Sequence, residues 1–259
     1  MATINLKHNI LKKENLIYGI RPLIEAIVAG KDIEKVIIQK GNRGESINEL
    51  LTLLRKADVP YRLLPSERFE HYKNSNHQGV IGYISEITYQ DITQLLPTIY
   101  ENGEVPFILA LDRITDVRNF GALARSASCA GVHAILIPEK GAAQINQDAI
   151  KTSAGALMSI PVCRTPNLFA TLKYLKNSGL LLCSITEKGN EIYHTVSLDI
   201  PLVLLLGSEE DGISTDLLKL SDHLLNIPML GNIASLNVSV AGAIVMFEQL
   251  KQRNIVNLK

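Results

Sequence analysis

The chain has 259 residues, 46% hydrophobic and 20% charged, the balance of a folded globular protein rather than a disordered or fibrous one. Its 26 basic and 26 acidic residues cancel, so bulk charge points to no polyanionic partner. Three cysteines, Cys129, Cys163 and Cys183, cannot all pair and none stands in a CxxC spacing, which favours a reducing compartment over a disulfide framework.

At the N-terminus, Lys7, Lys12 and Lys13 interrupt the apolar residues, so the uninterrupted core of a signal peptide is missing and a cytoplasmic protein is expected. No apolar run approaches the ~20 residues that cross a bilayer, and no membrane partner is expected. Residues 1–90 hold 13 basic against 10 acidic side chains, and residues 91–259 hold 13 against 16. The small excess at the front suits contact with a phosphate backbone, although a solvated surface would show it about as often.

Residues 1–90 read as a small α/β unit. Pro22 suits the first turn of a helix running to residue 29, with Gly30 as its stop, and a strand follows over 36–39. Ile47, Leu50, Leu51 and Leu54 recur at helical spacing before a short strand over 61–64. Ser66 reads as the cap of another short helix, and a strand over 80–87 closes the unit. Residues 91–105, with Pro97 and Gly103, read as a linker. From residue 106 the pattern alternates. Strands are predicted over 107–112, 134–138, 160–163, 180–185, 202–207 and 223–227. Helices are predicted over 120–130, 147–153, 168–176, 215–220 and 238–253. Such alternation implies a parallel sheet covered on both faces.

In an open α/β sheet the ligand sits beyond the carboxyl ends of the strands. Three turns there are rich in Gly, Asn, Ser and charge: DRITDVRNFGALARSA, SEEDGIS and MLGNIASLNVSVAGA. Neither GxGxxG nor GxxxxGK[ST] follows a strand, and HExxH, spaced Cys/His sets and GxSxG are missing, so dinucleotide, P-loop, metal and common serine-hydrolase chemistry are disfavoured. No metal site is expected.

Asn119, Gly121 and Arg125 stand in the spacing NxGxxxR, which resembles the first motif of the SpoU or TrmH-type RNA ribose methyltransferases. The run from Leu206 to Ile213 resembles their second motif, and Ile227-Pro228-Met229 through Ser235-Leu236-Asn237 to Ala241 resembles their third. Tyr18-Gly19 and the run from Asn76 to Val80 resemble the substrate-binding domain that precedes the catalytic domain in this family, and the whole arrangement is most similar to its ribosomal, guanosine-2′-O-methylating branch.

The resemblance implies a SPOUT fold with a deep trefoil knot over residues 106–259, preceded by an α/β RNA-binding domain. It implies S-adenosylmethionine as cofactor, held by Gly207, Ile227, Met229 and Leu236, and a catalytic set of Asn119, Arg125, Glu209, Ser235 and Asn237. It further implies a guanosine of 23S rRNA as substrate and a homodimer formed through the C-terminal domain. A guanidinium keeps its proton to a pKa near ~13, and removing it near pH 7 costs roughly 8 kcal/mol at ~1.4 per unit. A cationic Arg125 that binds phosphate and steadies the forming alkoxide is therefore preferred to a neutral base. Asn119 and Asn237 also fit as helix N-caps, and Glu209 as a loop charge. His77 fits either a turn-shaping hydrogen bond or an RNA contact, and Arg21 either a surface position or a phosphate contact. A tRNA or another rRNA nucleotide remains open as the target, as does a non-catalytic RNA-binding assembly factor. A small-molecule methyltransferase would not need the front unit.

Overall fold

The computed structural model describes residues 15–232 and 235–253; the lysine-bearing N-terminal stretch and residues 233 and 234 of the third turn lie outside them. The chain divides into two compact units between Glu86 and Ile87.

The first unit runs β1 (Leu16–Tyr18), α1 (Ile20–Val28), β2 (Ile33–Gln39), α2 (Glu45–Lys56), β3 (Tyr61–Leu64), a 3-10 helix (Ser66–Tyr72) and β4 (Val80–Ile84). Its sheet order is β1-β4-β2-β3, with β4 antiparallel to both neighbours and β3 parallel to β2. The period-2 alternation of β2 and β4 splits their side chains. Val36, Ile38 and Val80 pack with Leu23, Leu50 and Leu54 of the two helices, while Ile37 and Ile81 pack with Phe69 of the 3-10 helix. The 3-10 helix follows Pro65 and has no side-chain cap, so Ser66 is its first residue and not its cap. β4 ends at Ile84, three residues short of the expected strand.

The expected linker over 91–105 is largely helix. Asp91 accepts a hydrogen bond from the Thr93 N–H at 2.8 Å and so caps α3 (Ile92–Glu101). Pro97 lies inside this helix and costs it about 3 kcal/mol, because its ring replaces one backbone donor. Burial of Ile92, Leu96 and Ile99, at roughly 1.5–3 kcal/mol each, outweighs that. Reading Pro97 as a break misjudged which effect wins.

The second unit continues with β5 (Phe107–Leu111), α4 (Val117–Cys129), β6 (Ala134–Pro138), α5 (Gln147–Thr152), β7 (Val162–Thr165), α6 (Leu168–Asn177) and β8 (Leu181–Ile185). β9 (Glu191–Ile192), β10 (Leu202–Leu206), α7 (Thr215–Leu220), β11 (His223–Asn226) and α8 (Val238–Gln252) complete it. The seven strands pair in the order β7-β6-β5-β10-β8-β11-β9, every pair parallel. Both faces of the sheet are covered, which is why its strands read as unbroken apolar runs. Phe107, Leu109 and Leu111 of β5 join Leu204 and Leu206 of β10 in a core with α4, α5 and α8. Ile108 and Ala110 join Val203 and Leu205 in a core with α3, α6 and α7.

Close helix contact sets the position of α4. A Cβ on Gly121 would stand 2.8 Å from the carbonyl oxygen of Ala149 in α5, so only glycine allows this approach. Leu123 and Ala127 of α4 have no exposed surface and belong to the core.

Burial pushes the thiols of Cys163 and Cys183 up to about 12, where almost no thiolate forms. Both are expected to stay unlabelled by an aromatic disulfide reagent at pH 8 until denaturant unfolds the chain. Rapid labelling of either in native buffer would contradict this burial.

Candidate active site

The three glycine- and asparagine-bearing turns follow β5, β10 and β11 and meet beyond the carboxyl ends of the sheet. A cavity of about 790 Å³ opens between the second and third of them. Gly207 and Glu209 line it from the second turn, and Ile227, Met229, Ser235, Leu236 and Asn237 from the third. Thr186, Glu187 and Lys188, which follow β8, line it as well. A second cavity of about 240 Å³ lies between the first and second turns and is lined by Asn119, Asp116 and Arg113. Residues 208–211 and Val238 line both cavities.

Gly207 is required by packing. A Cβ there would meet the carbonyl carbon of Gly212 and the nitrogen of Ile213 at 2.2 Å, both backbone atoms that cannot rotate away. Beyond it, the 208–212 turn is closed by the Ser208 N–H donating to Gly212 O at 3.1 Å and the Gly212 N–H donating to Ser208 O at 3.0 Å. Asp211 N–H donates to Ser208 Oγ at 3.0 Å and tightens it further.

Asn237 organises the polar centre. As the N-cap of α8, its Oδ1 accepts from the Ser239 N–H at 2.9 Å and from the Ser239 hydroxyl at 2.6 Å. Capping thus fixes the amide orientation, since Oδ1 must face the helix. Nδ2 then points outward and donates to Asn119 Oδ1 at 3.0 Å and to Glu209 Oε1 at 2.8 Å. Asn119 must in turn present its oxygen to Asn237, which turns its own amide N–H₂ away, without a partner among the described residues. One structural cap therefore sets the polarity of a three-residue network drawn from all three turns. Asn237 is thus an N-cap whose amide also reaches the two other turns. For Asn119 the capping reading fails: α4 starts at Val117 and its cap is Asp116, which accepts from the Asn119 N–H at 2.8 Å. Sequence reasoning started the helix three residues late because Asp116 precedes Val117, a poor helix former by propensity.

Arg125 stands apart. It lies six residues beyond Asn119 on α4, about 9 Å further along the axis and about 120° around it. It is exposed, lines neither cavity, and its side chain makes no hydrogen bond or ion pair with another described residue. Within one chain it is therefore set apart from both cavities.

In the first unit, His77 Nδ1 accepts from the Gly79 N–H at 2.9 Å and its ring stacks on Phe69, so it shapes the turn before β4. Arg21 pairs with Glu49 at 3.2 Å in an exposed ion pair. Asp112 and Arg113, which border the site, were missed, although a charged pair directly after an apolar strand was a visible signal. The cavity residues after β8 were missed as well, at a polar turn that the rule for strand ends covers equally.

A family model for the SpoU rRNA methylase family matches residues 106–247, and one for RNA 2′-O ribose methyltransferase substrate binding matches residues 16–90. The chain belongs to the SpoU/TrmH family of RNA 2′-O-ribose methyltransferases. A Staphylococcus saprophyticus protein named for the TrmH family of tRNA/rRNA methyltransferases is 32% identical over 247 residues, covering 95% of this chain and 99% of its own length. The fold is shared with the SpoU methyltransferase AviRb from Streptomyces viridochromogenes, solved with AdoMet, at a TM-score of 0.58 and 23% identity over 92% of this chain and 90% of that one. An AdoMet-bound rRNA methyltransferase from Sinorhizobium meliloti has a TM-score of 0.59 at 22% identity, covering 92% and 87% of the two chains. Among the described residues no helix is long and apolar enough to cross a membrane.

Proposed function

We propose that the larger cavity binds S-adenosylmethionine and that the protein methylates the ribose 2′-OH of a guanosine in 23S rRNA. The observation that carries this reading is the tie of all three motif turns through Asn237, at the edge of a cavity that the second and third of them line. The residues fit the cofactor. The volume lies within the ~300–1,000 Å³ of ordinary ligand pockets, Gly207 leaves the backbone bare, and Ile227, Met229 and Leu236 give apolar walls.

When bound, S-adenosylmethionine supplies a methyl group on a sulfonium, activated for transfer to a hydroxyl. This chain supplies the rest: Gly207, Ile227, Met229 and Leu236 hold the cofactor, while Asn119 and Ser235 orient the ribose. Glu209 and Asn237 fix Asn119. Arg125, as a cation, holds the neighbouring phosphate and stabilises negative charge on the attacking oxygen.

Arg125 comes to the cavity from a second copy of the chain. Its separation from the cavity supports this, as does α8, which packs beside α4 and carries Val240 and Phe247, 47% and 46% exposed, on one face with Ile244 between them. A knotted passage of the chain near the cavity belongs to the same reading, supported by the place of β10 between β5 and β8. Residues 1–90 serve as the RNA-binding domain. Arg21 is available there because an exposed pair such as Arg21–Glu49 is worth only ~0–1 kcal/mol and exchanges readily for a phosphate. His77 keeps Nε2 for RNA. An rRNA substrate places the enzyme in the cytoplasm.

The test is a map of ribose methylation in total RNA from cells lacking the protein. One guanosine of 23S rRNA is expected to lose its methyl group. A loss confined to a tRNA would move the substrate, and an unchanged map would favour the non-catalytic assembly-factor reading.

A further inference from the structure

Arg113 has an unusual backbone for its side chain. Its φ is 58°, in the left-handed region that residues with a Cβ seldom adopt. That turn of the chain, directly after β5, sends the guanidinium back over its neighbours. Nε donates to Asp112 Oδ1 at 3.1 Å and Nη2 to Asp112 Oδ2 at 3.3 Å. The same group reaches across the site: Nη2 donates to Gly212 O at 3.1 Å and Nη1 to Asp211 Oδ2 at 3.2 Å. Asp112 is itself buried, with its side chain 7% exposed, and its Oδ2 accepts from the Ser214 N–H at 2.8 Å. Its own N–H donates to Leu206 O at 2.7 Å. The backbone of Asp112 thus holds the end of β10, and the carboxylate–guanidinium pair holds the C-terminal side of the 208–212 turn through Asp211, Gly212 and Ser214.

These contacts are of different worth. The Arg113–Asp211 pair is mostly solvated, with Asp211 71% exposed, and adds little. The bonds to buried Asp112 and to the Gly212 carbonyl have fewer water competitors and set the position. Gly212 O also closes the turn by accepting from Ser208 N–H, so the guanidinium engages the atom on which the turn depends.

We infer that Arg113 is a positioning residue, which holds the 208–212 turn in the shape that binds the cofactor. The inference rests on the reading of the larger cavity given above. Strain at φ 58° is kept because it aims the side chain, and the residues of that turn form the wall common to both cavities.

Calorimetric titration of the full chain with S-adenosylmethionine tests this, using Arg113→Ala, Arg113→Gly and Arg113→Lys beside the wild type and Gly207→Ala. Alanine and glycine both remove the guanidinium, but glycine also relieves the left-handed strain and should melt at a higher temperature than alanine. Both are expected to weaken binding by about tenfold or more and by similar factors, with lysine between them and wild type. If Arg113→Gly binds within twofold of wild type, or if affinity follows melting temperature across the series, the role is structural only and the inference falls. If wild type binds and Gly207→Ala binds equally well, the reading of the cavity itself fails. Loss in Gly207→Ala with full binding in Arg113→Gly overturns the Arg113 inference alone.

Discussion

Replacing Gly207 by alanine is expected to weaken S-adenosylmethionine binding by about 100-fold, with a moderate loss of stability. The added Cβ would lie 2.2 Å from two backbone atoms at Gly212 and Ile213, so the 208–212 turn must move outward by on the order of an ångström. A 100-fold loss of affinity is ~2.7 kcal/mol, about what two or three broken backbone hydrogen bonds to the cofactor would cost. Overpacking of this kind destabilises a fold by typically ~1–3 kcal/mol, a cost that the large two-sided core around β10 can absorb. The turn is anchored at its far end by the bond from Ser214 N–H to buried Asp112, so the clash cannot be spread along the chain and is relieved in the cavity wall. Calorimetry and thermal melting separate the two effects. A Gly207→Ala protein that melts near wild type and binds the cofactor within threefold would remove Gly207 from the site.

Arg125→Ala is expected to leave cofactor binding unchanged and to lower methyl transfer by about 100- to 1,000-fold, the usual effect of removing one preorganised donor to a developing oxyanion. In the proposed dimer Arg125 grips the RNA phosphate and not the cofactor, so binding of the cofactor alone has no reason to change. Arg125→Lys keeps the charge but loses the fork that grips a phosphate, and should recover part of the rate. Transfer of labelled methyl groups to RNA from cells lacking the protein measures this. Loss as complete in Arg125→Lys as in Arg125→Ala would count against charge stabilisation.

Mixing the two variants decides where Arg125 acts. In a dimer that joins the cavity of one copy to the arginine of the other, an Arg125→Ala chain paired with a Gly207→Ala chain has one intact composite site. Random mixing should then restore about a quarter of the wild-type rate. If both parts work within one chain, every site in the mixture is defective and no activity returns.

The sequence was most legible where local and global signals agreed. The apolar runs of β5, β6 and β10 read as buried strands, and their parallel pairing follows from the helices between them. The motif turns were found because loops after such strands carry ligand sites. What was lost had weak or opposing local signals. β1 and β9 have three and two residues, too few to show a period, and exist only through pairing with β4 and β11. α3 was hidden by Pro97, whose local cost is real but smaller than the burial gained. Arg113 is marked in the sequence as a charge directly after an apolar strand, but its role depends on a left-handed backbone angle and on a turn 99 residues away, which no local pattern shows.

The sequence by itself determined the two-part α/β organisation, the three turns and the residue types available to them. Only the tertiary structure decided that Asn237 caps α8 and, by that cap, orders Asn119 and Glu209, while Arg125 faces away. The reason is physical. Periodicity and propensity act over a few neighbouring residues, whereas the direction of an amide or a guanidinium is set by partners that the fold brings in from distant strand ends.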